Sequence, residues 1–255
     1  MKKVQSYGAG VQSVTLLHMV LRSEIERPDL VIFADTMQEP RYVYEVVERD
    51  KALCEKAGIE FAIVSKGDLG AEWRSPKGNW MAYVPVYPVN IKTGKRGMML
   101  RSCTDKFKIQ PIRQHLRARG WKPLGVELWL GMTTDEIQRV KPSLTGWVEH
   151  RWPLIDLNMR RSDCLEYLRS IGVTAAKSAC VFCPYRSAQS WVSLAKNQPE
   201  DFEMAVRYDE MIRDLRPGYR CYVHSASIPL REAVLLNQED MSDLWGGECS
   251  GFCAA

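Results

Sequence analysis

Apolar residues along the first 175 positions form two alternating kinds of segment. Strands are predicted at 3–7, 30–34, 61–64 and 126–130. Of these, 30–34 is a continuous apolar run, which is typical of a buried strand in a parallel sheet. Segments with apolar residues at helical spacing occur at 11–21, 42–57, 104–119 and 161–171. Because strands alternating with helices indicate βαβ units, the pattern predicts an α/β fold with a parallel sheet flanked by helices.

The rest of the chain lacks this alternation. Residues 66–101 hold glycine, proline and aromatic residues without a period, and a loop of this length is usually functional. Residues 152–155 are predicted to form a short strand or an extended turn. Beyond residue 177 the chain predicts a cysteine-bearing loop, two helices at 187–197 and 199–215, and a tail rich in glycine and cysteine. We therefore predict a nucleotide-binding domain over 1–175 and a small cysteine-rich, metal-binding helical subdomain over 176–255.

Composition narrows the class of protein only slightly. The 255 residues are 45% hydrophobic and 26% charged, with a formal net charge of +4, which suits a globular chain with a sizeable core. The mild positive charge permits anionic ligands without by itself indicating nucleic-acid binding. Neither a signal sequence nor an apolar run of about 20 residues is present. We therefore expect a cytoplasmic protein with no membrane partner.

The first chemical signal is the segment from Ser6 to Ser13, Ser-Tyr-Gly-Ala-Gly-Val-Gln-Ser, between the first strand and the first helix. Glycines such as Gly8 and Gly10 let the backbone approach a ligand and adopt positive φ. The helix that follows offers unpaired N–H groups and the positive end of its dipole, which favour phosphate. The segment lacks the Walker A ending and the dinucleotide spacing. A tight turn between strand and helix is the alternative interpretation.

This segment resembles the pyrophosphate loop of the adenine nucleotide alpha-hydrolase superfamily, the N-type ATP pyrophosphatases or PP-loop proteins. Its Gly-x-Gln-Ser ending is closest to the phosphoadenylyl-sulfate (PAPS) reductase branch. The usual superfamily pattern is Ser-Gly-Gly with an aspartate before the last serine, whereas this chain has Gly8-Ala9-Gly10 and Gln12. The resemblance implies a Rossmann-like fold that binds ATP with Mg²⁺. The implied binding residues of the loop are Ser6, Gly8, Gly10, Gln12 and Ser13.

Three later segments resemble the same family in the same order. The segment 31–36, followed by Glu39, is similar to the strand and Asp-Thr turn where the family places adenosine, which implies roles for Asp35 and Thr36. The segment 101–111 is similar to the cysteine-containing segment that ends in Lys-x-x-Pro. The segment 131–139 is similar to the Gly-x-x-x-x-Glu/Gln-Ser-x-x-Arg loop. The catalytic or anion-binding residues implied by the last two are Lys108, Glu136 and Arg139.

Four of the eight cysteines form two closely spaced pairs: Cys180 with Cys183, and Cys249 with Cys253. A Cys-x-x-Cys followed by proline in a loop is a recurrent metal-binding turn, and thiolates prefer soft or borderline metals. A redox-active dithiol is the alternative for Cys180 and Cys183. For the tail, the alternatives are ligation of the same metal and a mobile reactive thiol, since PAPS reductases end in Glu-Cys-Gly.

Cys103 lies where the iron–sulfur adenylyl-sulfate reductases carry a double cysteine, and Ser102 replaces the first of the two. The resemblance therefore implies a [4Fe–4S] cluster held by Cys103, Cys180, Cys183 and a tail cysteine. Four thiolates would equally hold Zn²⁺ in a closed structural site. The sequence does not separate these metals.

We expect an enzyme that adenylates an acceptor and transfers sulfur to it. The alternatives are a reductase of PAPS or adenylyl sulfate and a non-enzymatic, zinc-stabilised module that binds nucleotide or nucleic acid. The expected partners are an adenine nucleotide, a sulfur-donor protein and an acceptor that is either a nucleic acid or a small molecule. A nucleic-acid acceptor is considered because the sulfur-incorporating enzyme of DNA phosphorothioation also resembles this chain. The basic residues that favour nucleic acid are Lys92, Lys95, Arg96, Arg101, Lys106 and Lys108. A solvated loop that covers a nucleotide is the alternative interpretation of this basic stretch.

Overall fold

The computed structural model describes residues 1–71, 84–175 and 178–240. The chain divides into two compact units, and both are discontinuous in sequence. Unit 1 comprises Met1–Thr36, Tyr42–Gly67 and Phe107–Ser178, and unit 2 comprises Met37–Arg41, Asp68–Lys106 and Ala179–Ala255. Unit 2 therefore takes two segments from within the first 175 residues.

The helices and strands include those predicted at 3–7, 11–21, 30–34, 42–57, 61–64, 126–130 and 161–171, with bounds within one residue of those expected. In chain order they are β1 (Lys2–Tyr7), α1 (Val11–Leu21), β2 (Leu30–Asp35), α2 (Arg41–Lys56), β3 (Phe61–Ser65), β4 (Tyr87–Asn90), α3 (Gln110–Ala118), β5 (Val126–Leu130), β6 (Val148–Arg151), α4 (Pro153–Asp156), α5 (Arg161–Ser170), α6 (Ala188–Asn197), α7 (Pro199–Met211), β7 (Tyr219–Tyr222) and α8 (Leu230–Asp240).

Unit 1 is built on a five-stranded sheet in the order β3-β2-β1-β5-β6, and every neighbouring pair is parallel. This confirms the predicted α/β class with a parallel sheet. The chain runs from β1 to β2 and β3 on one side, and then crosses to β5 and β6 on the other. Strand order therefore reverses between β1 and β5, which is the place where open α/β sheets bind ligands, beyond the carboxyl ends of the strands.

Helices cover both faces of this sheet because its central strands are apolar on both sides. Val31 and Phe33 of β2 pack in one cluster with residues of α1, α2 and α5. Leu30 and Ile32, which alternate with them, pack in a second cluster with residues of α3. The period of two along a strand thus sends successive side chains into separate cores. Because both faces of the sheet are covered, the loops that follow the strands lie at the edge formed by the strand ends.

Unit 2 contains a two-stranded antiparallel ribbon of β4 and β7, in which Tyr87 pairs with Tyr222 and Asn90 with Tyr219. The three helices α6, α7 and α8 pack against one another. The cysteine-bearing turn at 179–186 directly precedes α6, whose N-terminus is capped by Ser187 through a hydrogen bond from the backbone N–H of Ser190. The predicted helix at 187–197 is confirmed within one residue.

Two expectations about local structure differ from what is observed. Residues 153–156 form a short helix, and the expected strand or extended turn at 152–155 is wrong. Pro153 stands in the first turn of that helix, where its missing N–H is not needed. The helix expected from residue 104 is present, but Asp105–Ile109 form a π-helical turn within it before it becomes regular at Gln110. Across the described ranges, no helix combines the length and apolar character that crossing a membrane requires.

Candidate functional site

The loop between β1 and α1 is organised by the hydroxyl of Ser13. Its Oγ accepts hydrogen bonds from the backbone N–H groups of Gly8 and Gly10 at 3.2 and 3.1 Å, and it donates to the carbonyl of Gly10 at 3.1 Å. Gly10 is the N-cap residue of α1 in an extended conformation. Ser13 is therefore a structural centre of the loop, in addition to being a candidate phosphate ligand.

The left-handed position in this loop belongs to Ala9, which has φ of 55°, and neither Gly8 nor Gly10 has a positive φ. A non-glycine residue in this region is uncommon and costs about 1–2 kcal/mol. Strain of this kind persists where the surrounding structure imposes it, and it concentrates at functional sites. The side chain of Ala9 is fully buried, so its methyl group packs in the core while its backbone adopts the strained conformation.

Two residues outside the loop hold its backbone in place. The amide Nε2 of Gln5, a fully buried residue of β1, donates to the carbonyl of Ser13 at 2.9 Å. Gly131 follows β5 and abuts the start of α1: a Cβ at Gly131 would lie 3.0 Å from the backbone N of Ser13 and 3.2 Å from the carbonyl carbon of Gln12. Only a glycine permits this approach without a backbone shift. The loops after the adjacent strands β1 and β5 are therefore in direct contact.

A chain of polar side chains crosses the mouth of the loop. The amide Nε2 of Gln12 donates to Glu136 Oε2 at 3.2 Å, and Arg139 Nη1 donates to the other carboxylate oxygen of Glu136. The amide oxygen Oε1 of the same Gln12 side chain accepts a hydrogen bond from Arg161 Nη1 at 3.3 Å. The structure thus brings together Gln12, Glu136 and Arg139 of the predicted residues, and it adds Arg161, the first residue of α5.

The remaining predicted residues of unit 1 lie at the ends of other elements. Asp35, the last residue of β2, accepts a hydrogen bond from the hydroxyl of Tyr44 at 2.9 Å. Thr36 is buried with 2% of its surface exposed, and Ser6 is half-buried near the end of β1. Lys108 is half-buried in the π-helical turn.

The second candidate site lies in unit 2, at the turn that carries Cys180 and Cys183. The backbone N–H of Cys183 donates to the carbonyl of Cys180 at 3.0 Å, which closes the turn. A hydrogen bond with Cys180 lowers the pKa of the Cys183 thiol to about 6, helped by the backbone N–H of Tyr185 and by the charges of Arg101 and Arg186 against the effect of burial. Cys183 is therefore largely a thiolate at neutral pH, which is the form that binds metals and reacts as a nucleophile.

The buried guanidinium of Arg186 holds this turn from inside. Its Nη2 donates to the carbonyl of Ala179 at 2.7 Å and its Nε to the carbonyl of Cys180 at 3.3 Å, while Nη1 donates to Ser190 Oγ at 3.1 Å. The guanidinium also lies 5.5 Å from the ring centre of Trp191. Only 7% of Arg186 is exposed. One side chain thus donates to two carbonyls of this irregular turn, one of which also accepts the backbone N–H of Cys183.

Cys103 belongs to the same electrostatic environment. Burial and the negative charges of Cys180, Cys103 and Cys183 together raise the pKa of the buried Tyr208 hydroxyl. Burial lowers the pKa of Arg101, but the charges of Cys103 and Cys183 outweigh it, so the net direction is upward. Within the described ranges, no three His, Cys, Asp or Glu side chains are arranged to hold a metal ion, and no disulfide joins any of the cysteines.

Cys249 and Cys253 lie outside the described residues. The turn at 91–97, which carries Lys92, Lys95 and Arg96, is exposed throughout, and Arg96 Nη1 donates to the carbonyl of Ala226 at 3.2 Å. The basic turn is thus accessible, and its role in nucleic-acid binding stays a prediction.

Sequence reasoning missed Arg161 and Arg186 as candidates. Arg161 is 149 residues from Gln12 in the chain, and no local pattern signals that contact. Arg186 could have been noticed, because it stands three residues after Cys183 in a turn whose carbonyls need donors. No family model matches the chain, and no curated protein is detectably similar to it.

Proposed function

We propose that this protein binds ATP at the loop between β1 and α1 and uses it to adenylate an acceptor. The observation that carries this proposal is the contact of Gly131 with Ser13 and Gln12, which joins the loops after β1 and β5. These strands flank the point where strand order reverses, the usual ligand position in open α/β sheets. The N-terminus of the 11-residue helix α1 favours phosphate at the same place.

The proposed chemistry begins with attack of an acceptor oxygen on the α-phosphorus of ATP. A bond forms between that oxygen and phosphorus, the bond to the bridging oxygen breaks, and pyrophosphate leaves with its electron pair. Hydrosulfide-level sulfur then displaces AMP from the adenylated carbon or phosphorus of the acceptor, with no net change in oxidation state. Backbone N–H groups of the loop and nearby arginines would stabilise the charge that develops on phosphate oxygens, which is usually the largest catalytic contribution.

The turn with Cys180 and Cys183, together with Cys103, would hold the metal centre. These thiols are the soft donors that iron–sulfur clusters and Zn²⁺ take, and the low pKa of Cys183 provides one of them as thiolate. A cluster would supply a binding place for sulfide, whereas Zn²⁺ would stabilise the turn. Arg186 keeps the turn in shape through the carbonyls of Ala179 and Cys180. A tail cysteine, Cys249 or Cys253, would complete the set.

The proposal is tested by three parallel assays on the full chain, purified without oxygen. Pyrophosphate release from ATP and Mg²⁺ in the presence of hydrosulfide and candidate acceptors supports adenylation. Sulfite release from PAPS in the presence of a thiol reductant would instead support a PAPS reductase and contradict adenylation. Nucleotide binding without either product would leave a binding module, and the absence of nucleotide binding would overturn the proposal.

The variant Gly8→Ala tests whether the nucleotide phosphates bind at this loop. A Cβ at Gly8 would meet nothing closer than Ser13 Oγ at 3.9 Å, an ordinary contact, and Gly8 has no positive φ. The protein therefore has room for this methyl group, but a phosphate seated on the loop N–H groups would collide with it. We expect unchanged thermal stability and at least about a tenfold loss of ATP affinity, equivalent to about 1.4 kcal/mol. Equal affinity would place the nucleotide elsewhere.

Metal content is measured on the same preparations as iron, zinc and acid-labile sulfide per chain. Iron with sulfide supports the sulfur-transfer or reductase chemistry, and one zinc without sulfide makes the cysteines structural. Cys180→Ser and Cys183→Ser should each lower the metal content, while Cys54→Ser should not. Cys54 is a suitable control because it is fully buried in the apolar core of unit 1 and burial raises the pKa of its thiol to about 12.

A further inference from the structure

Two arginines lie at the mouth of the phosphate loop, and their charges are compensated differently. Arg139 donates to the carboxylate of Glu136, so its charge is neutralised within the loop. Arg161 donates from Nη1 to the amide oxygen of Gln12, which carries no charge. Throughout the described part of the chain, the guanidinium of Arg161 forms no ion pair with a carboxylate.

The nearest acidic contact of Arg161 serves its backbone. Asp135 Oδ2 accepts a hydrogen bond from the backbone N–H of Arg161 at 2.6 Å, which satisfies the start of α5. Arg161 is half-buried, so water screens its guanidinium less than it would screen a fully exposed one. A charged group in this position attracts an anion more strongly than a neighbour already paired with a carboxylate.

The position of Gln12 directs this charge toward the loop. Gln12 is the second residue of α1, where the unpaired N–H groups of the helix start are found. Its amide contacts Glu136 with one end and Arg161 with the other. The guanidinium is therefore held beside the helix terminus by a neutral group that does not compete with an anion. A carboxylate at position 12 would have paired with Arg161 and cancelled its charge.

We infer that Arg161 is an anion-binding residue of this site that contacts a phosphate oxygen of the nucleotide, and that Gln12 positions it before the anion arrives. The identity of the anion rests on the proposed function. Arginine suits this contact because its guanidinium is always charged and presents donors in a planar fork that matches phosphate. Arg139, paired with Glu136, contributes less than Arg161 to phosphate affinity.

The test is calorimetric titration of the full chain with ATP, adenosine and inorganic pyrophosphate. Arg161→Met should weaken binding of ATP and pyrophosphate by about 10- to 100-fold, the usual range for a hydrogen bond to a charged group. Adenosine binding should stay within about twofold. Arg161→Lys should retain part of the affinity because it keeps the charge and loses the fork. Arg160→Met is the matched control, since Arg160 is the exposed neighbouring residue.

The outcomes separate this inference from the proposed function. If the wild type binds ATP and Arg161→Met binds it equally well, only the role of Arg161 is overturned. A parallel loss of ATP and adenosine would also overturn it, because that would indicate general damage to the loop. If the wild type binds pyrophosphate through Arg161 but neither ATP nor adenosine, the inferred anion site stands and the proposed function fails. Absence of any binding overturns both.

Discussion

The phosphate loop of unit 1 and the cysteine turn of unit 2 are assembled from different parts of the polypeptide. In the loop, the important groups are backbone N–H groups, organised by Ser13 and fitted closely against Gly131. In the cysteine turn, the important groups are side chains: two thiols and the guanidinium of Arg186, which donates to the carbonyls beneath them.

This difference determines what each site tolerates. A site made of backbone depends on the absence of side-chain atoms, so adding one methyl group at a point of close contact should damage it. A site made of side chains depends on the presence of particular atoms, so truncation should damage it. The comparison yields four predictions, from the largest expected effect to the smallest.

Gly131→Ala should cause the largest loss. Its Cβ would lie 3.0 Å from the N of Ser13 and 3.1 Å from its Cα, so the loop or β5 must shift. We expect destabilisation of about 1–3 kcal/mol and a loss of ATP binding greater than that of Gly8→Ala, measured by thermal unfolding and calorimetry. Gly146→Ala is the control, because a Cβ there meets nothing within 4 Å. Equal behaviour of the two variants would contradict the fit of Gly131 against the loop.

Arg186→Met should damage the cysteine turn and leave the phosphate loop intact. The change leaves the carbonyls of Ala179 and Cys180 without this donor, at about 1–3 kcal/mol for buried polar groups that lose a partner. We expect lower stability and lower metal content, with ATP affinity unchanged. Arg207→Met, at an exposed position of α7, should change none of these. Full metal content in Arg186→Met would show that the turn does not need its guanidinium.

Ser13→Ala should have a smaller effect than Gly131→Ala. It removes the acceptor for the N–H groups of Gly8 and Gly10, at about 1 kcal/mol for each typical hydrogen bond, without forcing the backbone to move. ATP affinity should fall by about tenfold or less, measured by calorimetry against Ser170→Ala, whose exposed hydroxyl only donates to the carbonyl of Tyr167. A complete loss of binding would give Ser13 a direct role with the phosphates.

The last prediction involves no substitution and concerns the pH dependence of Cys183 in metal-free protein. Its pKa is lowered from the ordinary value of 9.0 to about 6, so the thiolate is present above about pH 6 and is lost as the pH falls below it. The stability that this shift contributes is therefore complete above about pH 9 and disappears as the pH falls through 6. Alkylation of Cys183, followed by mass spectrometry of its peptide, should rise with a midpoint near pH 6. A midpoint near pH 9 would contradict the inference that Cys180 stabilises the thiolate of Cys183.

Most of unit 1 could be predicted from the sequence because its signals are local. The run 30–34 is apolar without interruption, as a strand with helices on both faces requires, and it forms β2 as Leu30–Asp35. The run 126–130 forms β5 with the predicted bounds. By contrast, β6 at Val148–Arg151 is short and polar, and it was missed. Its strand conformation depends on pairing with β5, a neighbour that its own residues do not specify.

The sequence alone determined the βα pattern, the glycine-containing turn at its first strand and the Cys-x-x-Cys turn, since each arises from contacts between residues near one another in the chain. Only the tertiary structure decided which residues join these turns. It placed Gly131 against Ser13 and Arg161 beside Gln12, and it put the left-handed conformation at Ala9, which neither glycine of the loop adopts. The physical reason is that strand order and helix packing bring together residues more than 100 positions apart, and no periodicity in the sequence records those distances.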